Sequence, residues 1–320
     1  MDLASQSSQT EPTHIIDTEA ILQRLEPFLN KIHQYSIPHD SQNIDPIPDR
    51  SSLFQEFLCL SFDEVKTACE HIDFTNWTDD ALADMYDTFG SMDNLGHLVA
   101  CTVVQSSLYP YVIRLKTSLS RLLMNSVLQL GKVHGNVILN GLIFPLLNTT
   151  ENNKEVGQSQ MELISKLITN SLSPSSRLTL LKFMIAGNSS IGLTRHNIKG
   201  IISDYPMLSS STTTTVPSDT IMQLLNIISS SQPLISLDTM TIRQLIQTSH
   251  QVVQARPKDK ACMQLLLTLT SKHAQSLVDA NILDDLEAVC NESNMFLKRS
   301  VLGQIASIRK KTQDSPSGLL

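Results

Sequence analysis

Between residues 95 and 311, apolar residues recur at helical spacing and are broken by short polar stretches about every 20 residues, so a helical pair returns about every 40. Some ten short amphipathic segments in succession have no obvious single core to converge on. That rhythm predicts an all-α protein, an α-solenoid of antiparallel helical hairpins with HEAT-like repeats, and leaves a compact helical bundle as the rival architecture. Composition agrees: only 11 glycines and 5% aromatics, with no convincing strand pattern, favour helices over sheets.

The chain divides into four spans. Residues 1–50 form an acidic, proline-containing region expected to be partly disordered, with one helix near 17–35. Asp17 would cap that helix, Leu22, Leu25, Leu29 and Ile32 would form its stripe, and Pro27 would kink it. Residues 36–50 read as a linker or extended strap. Residues 51–94 are acidic helices. Ser61 and Glu64 have capping-box spacing, and Thr78 opens a helix with Asp80, Asp84 and Asp87 on one side. Residues 95–311 are the helical-repeat domain, and 312–320 a disordered tail.

Within the repeat domain, 95–108 reads as a buried helix. Pro110 is expected in the first turn of the next, running through Leu130. Gly131 suits the position just past that helix, and 133–147 forms a further one ending near Pro145. Helices are then expected at 160–169, from Ser173-Pro174 onward, at 195–202, 219–230, 238–254, 259–274, 282–290 and 294–311, with a loop at 209–219.

Sequence patterns for chemistry are missing. Five scattered cysteines suit buried thiols in a reducing compartment, and Cys59, Cys69 and His71 lack the second ligand pair of a zinc site. His97, His134, His250 and His273 stand alone in apolar segments. There is no nucleophile elbow, no phosphate-cradling glycine loop and no EF-hand spacing around the acidic trio. No apolar run is long enough to cross a membrane, and the first residues carry no secretory-signal pattern. The expectation is a non-catalytic interaction protein with no cofactor and no metal.

Charge is uneven. Residues 1–100 hold 18 acidic and four basic residues, a balance of −14; the remainder, with 13 acidic and 20 basic, contributes +7, which together give −7. The basic share gathers near the end, at Lys298, Arg299, Arg309, Lys310 and Lys311, with Lys258, Lys260 and Lys272 before them. This density lacks interleaved aromatics and any groove-reading motif, so direct DNA binding is not the expected main role.

The last segment, 293–311, is the most telling. Treated as one helix capped at Ser293 or Asn294, it places Leu297, Val301, Ile305 and Ile308 within roughly 80° of one another. Phe296 lies about 140° from the middle of that stripe, on the side of Arg299, Gly303 and Lys310. Those four residues, Phe296, Arg299, Gly303 and Lys310, are the candidate partner-binding set, with Phe296 exposed and Leu297 in the core.

The tail NESNMFLKRSVLGQIASI (291–308) resembles the C-terminal signature of the Fanconi anaemia group E family, through Asn291, Phe296, Leu297, Lys298, Arg299, Ser300 and Val301. SLSRLLMNSVLQL (118–130) followed by GLIFPLL (141–147) is similar to a second block of that family, in the same order and separation. The likeness covers about 95–311, and the 94 residues before it do not match. It implies an all-helical repeat protein of the nucleus, an adaptor subunit of the Fanconi anaemia core complex. Such a subunit associates with the group C and group F proteins and binds the group D2 protein, presenting it for monoubiquitination in DNA interstrand cross-link repair. The alternative is a helical-repeat scaffold that binds nucleic acid or unrelated protein partners through its basic C-terminal end.

Overall fold

The structure, a computed structural model, describes residues 18–33, 50–150, 156–186 and 216–314. Among these residues the protein is all-α, with no strand. The first group of helices is α1 (Thr18–His33), α2 (Arg50–Leu58), α3 (Phe62–His71), α4 (Asp79–Ser91), α5 (His97–Ile113) and α6 (Arg121–Val133). The chain then turns sharply, by 117°, into α7 (Gly135–Ile138), a π-helical turn (Leu139–Ile143) and α8 (Phe144–Thr150). After them come α9 (Gln158–Asn170), α10 (Pro174–Ala186), α11 (Asp219–Ser230), α12 (Thr239–Ala255) and α13 (Lys260–Lys272). The last are α14 (Ala274–Asp279), α15 (Leu283–Glu292) and α16 (Lys298–Asp314). No single helix among the described residues is long and apolar enough to cross a membrane. The expectations for Asp17, the strap at 36–49, the helix at 195–202, the loop up to residue 215 and the tail from 315 lie outside the described residues.

Local chemistry explains where the helices begin. Ser61 and Glu64 form a complete capping box: the Ser61 hydroxyl accepts from the Glu64 amide, and the Glu64 carboxylate accepts from the Ser61 amide at 2.8 Å. Thr78, Ser120, Ser218, Asp238 and Asp259 each accept an amide hydrogen of the first turn they precede, relieving donors that have no helical partner.

Two expected boundaries move. Pro110 does not open a helix; it sits inside α5, which continues to Ile113. Leu108 and Val112 on either side of it are fully buried, so packing of that last turn outweighs the hydrogen bond the proline removes. Residues 114–120 are then the connector, and α6 starts under its Ser120 cap. Pro145 likewise does not end a helix: it follows directly on the π-helical turn, and the chain stays helical through Thr150.

Gly131 is also not a terminator. It lies within α6, and a Cβ there would stand 2.3 Å from the Ser171 hydroxyl, which itself donates to the Leu128 carbonyl at 2.7 Å. The glycine lets the end of α9 come against α6.

Substantial helix contacts fall between elements close in chain order. One series runs α2, α4, α6, α9, α11, α13, α16, each packed on the one before. A second runs α1, α3, α5 and the π-helical turn, and resumes as α10, α12, α15. The stacked rings of Phe144 and Phe183, with centroids 4.2 Å apart, join α8 to α10. The apolar residues between the two series form one continuous core from Leu25 to Ile305. Packing does not pause at residue 95, because Tyr86 and Ser107 share a buried hydrogen bond of 2.6 Å and the Tyr111 hydroxyl donates to Asp79.

Polar side chains tie successive helices by reaching carbonyls at and just beyond helix ends. Gln160 donates to the carbonyls of Val112, Ile113 and Leu115; Arg177 to those of Ser231 and Pro233; Arg243 to Ala280; Lys272 to Ser230. Arg177 is only 1% exposed. A buried guanidinium is tolerable only with such acceptors at hand.

Candidate partner-binding surface

The terminal segment differs from the single capped helix that its spacing suggested. Helix α16 begins at Lys298, and residues 293–297 form a separate connection from α15. Ser293 is buried, with its hydroxyl donating to the Pro257 carbonyl at 3.1 Å, and the Asn294 amide donates to the same carbonyl at 2.8 Å. The Ser293 hydroxyl also accepts from the Met295 amide at 3.2 Å. Lys298 closes the arrangement by donating to the Asn291 carbonyl at 2.7 Å. One proline carbonyl thus holds two points of the turn, and neighbouring bonds fix the rest.

Phe296 stands on that turn, 74% exposed, the most exposed large apolar side chain among the described residues. Leu297 beside it is half-buried and packed against the core, as is Met295. On α16, Val301, Ile305 and Ile308 are buried against α13 and α15; they are three of the four residues of the stripe that the spacing predicted, the fourth, Leu297, lying before the helix and only half-buried. Arg299, Gly303 and Lys310 are exposed on the opposite side. They fall within roughly 40° of one another around the helix and span about 16 Å along it. Gly303 faces open space, with nothing within 4 Å of where a Cβ would sit.

Cations here divide into two kinds. Arg309 is held by both Asp284 and Glu287, and those carboxylates push its pKa up. Arg256 is likewise paired to Asp259 at 2.9 Å and to Asp219 at 3.3 Å. Arg299 and Lys310 make no ion pair among the described residues.

The remaining sequence candidates are absorbed by structure. Asp84 of the acidic trio pairs with Arg50 at 2.7 Å beside an open hollow of about 380 Å³ that Asp87, Thr88 and Ser91 also line. No group of three or more His, Cys, Asp or Glu side chains among the described residues could hold a metal ion. Sequence reasoning treated His97 as solitary, yet it meets Cys101 Sγ at 3.5 Å and Asn140 Nδ2 at 3.1 Å. Both partners use the same imidazole nitrogen, Nε2, so no relay passes through the ring. Burial also pushes the Cys101 thiol up to about 12, away from the thiolate that a nucleophile needs. Cys69, Cys262 and Cys290 are raised to about 12 by burial as well. Only the i, i+4 spacing of His97 and Cys101 could have signalled that contact.

No protein-family model matches this chain, and no curated protein matches it.

Proposed function

We propose that the protein is a non-catalytic adaptor of the Fanconi anaemia core complex, binding the group D2 protein and presenting it for monoubiquitination in interstrand cross-link repair in the nucleus. The observation that carries this reading is the presentation of Phe296: an aromatic side chain in solvent, on a turn pinned by hydrogen bonds, beside unpaired cations. An exposed aromatic on a pre-ordered support is the usual anchor of a protein interface. The resemblance of residues 291–308 supplies the partner, and the same resemblance extends the assembly to the group C and group F proteins. The two series of contacts between alternate helices support reading the fold as a HEAT-like α-solenoid, whose long surfaces suit an adaptor.

Pull-down of the cognate group D2 and group C proteins by the intact chain tests the proposal, and no binding of either at micromolar concentration would sink it. Phe296→Ala is expected to weaken group D2 binding by about 2 kcal/mol or more with the melting temperature nearly unchanged. Leu297→Ala is expected to do the reverse, lowering stability by about 1–2 kcal/mol through lost packing. A second reading rests on the unpaired cations: a helical-repeat scaffold that binds nucleic acid or other proteins through this end. It predicts affinity for duplex DNA that falls steeply with salt and is lost when Lys298, Arg299 and Lys310 are neutralised.

A further inference from the structure

The surface around Phe296 extends beyond the terminal helix. The Pro257 carbonyl that holds Ser293 and Asn294 belongs to the turn between α12 and α13, and Lys258, the next residue, is exposed. This places a second free cation, with Arg299, beside the Phe296 turn, from a part of the chain some 40 residues earlier.

Several nearby carboxylates are engaged within the fold, while Asp285 and Asp314 make no ion pair among the described residues. Asp284 and Glu287 hold Arg309, Asp259 holds Arg256, and Glu292 takes His250 at 3.0 Å. Lys258, Arg299 and Lys310 make no ion pair among the described residues. Elsewhere some cations are matched, as in Arg24 with Glu64, Lys166 with Glu162 and Lys182 with Asp238, and others, such as Arg121, Lys132 and Lys260, are not matched among the described residues. Lys258 and Arg299 thus flank the most exposed large apolar side chain among the described residues, and Lys310 lies about 16 Å farther along the same face of α16.

We propose that Phe296, Lys258, Arg299 and Lys310 form one docking surface for an acidic protein segment that carries an apolar side chain beside its carboxylates. This rests on the reading of the Phe296 face as a protein-binding surface and adds both its extent and the chemistry of its partner. The apolar side chain covers Phe296 and the exposed parts of Met295 and Leu297, while the rim cations orient the carboxylates and speed encounter. A short segment senses only charges within about a Debye length, roughly 8 Å at physiological salt. A long polyanion also meets the field of the whole chain, which is −7 overall and −14 over its first hundred residues (four basic against 18 acidic). That difference favours an acidic peptide over nucleic acid.

Selection of a random 12-residue peptide display library on the intact chain tests this. The expected result is enrichment of sequences with Asp or Glu flanking Leu, Phe or another apolar residue. Synthetic versions of those peptides should lose at least tenfold in affinity on Phe296→Ala, and again on Lys258→Glu, with no change in melting temperature. Enrichment of neutral or basic sequences, no enrichment, or binding that survives Lys258→Glu would overturn the proposal. So would tighter binding of a 30-base-pair duplex than of any selected peptide, if that binding depends on the same residues. The group D2 protein plays no part in the selection, so failure of that pairing and failure of this surface are read separately.

Discussion

Single residues in this protein are informative mainly where a polar group is buried. His273, 5% exposed, places Nε2 at 2.8 Å from the Ser229 carbonyl. A carbonyl only accepts, so Nε2 carries the hydrogen, and burial holds the imidazole below the ordinary histidine range in its neutral form. The unfolded chain therefore takes up the second proton first. Stability should fall as pH drops below about 6.5 and continue falling to the lower folded-state value. Comparing melting temperatures at pH 7.5 and 5.5 should show that fall, with a smaller one for His273→Gln. An equal fall in both would remove His273 as its source. The sequence placed this histidine in an apolar setting but could not reveal the carbonyl, which comes from a helix more than forty residues earlier. Arg177 and Gln160 were equally unreadable, since their acceptors lie at or just beyond helix ends distant in the chain.

Elements were legible where the signal is local and lost where packing decides. The Ser61–Glu64 box and the Pro174 start of α10 follow from neighbours three residues away, and both stand where expected. Pro110 misled because the buried Leu108 and Val112 keep α5 going beyond it. The terminal segment was right in three of the four residues of its buried stripe and wrong in its start, since the pull of the Pro257 carbonyl on residues 293 and 294 is not encoded nearby. Glycine within α16 is a separate matter. Gly303 is exposed in a helix interior, with room for a methyl group. Gly303→Ala should stabilise the protein by about 0.5–1 kcal/mol, because alanine loses less backbone freedom on folding. Thermal or denaturant unfolding would measure it, and destabilisation would mean that the site has no room for the added methyl group. If the same substitution weakens partner binding, the glycine serves the interface and not the helix.

For the molecule as a whole, the confinement of substantial contacts among the described helices to elements close in chain order matters most. The helical class was legible from periodicity, while the order of contacts was not, because two helices with similar stripes are interchangeable on a helical wheel. Where each element is supported chiefly by near neighbours, the ends lose support on one side and should open most readily. Amide hydrogen exchange is therefore expected to be slowest in α4, α5 and α6 and faster toward α1 and α16. Uniform protection from end to end would mean that the chain opens only as a unit.

The carbonyl of Pro257 has a last consequence, one of timing. A turn already fastened at Ser293 and Asn294 has little freedom left to surrender when something lands on Phe296. Association should then proceed in one kinetic phase whose rate rises linearly with partner concentration, without the plateau of a slow rearrangement before or after contact. Loosening the fastening from the far side, with Ser293→Ala, should leave every contacting side chain in place and still introduce a slow second phase.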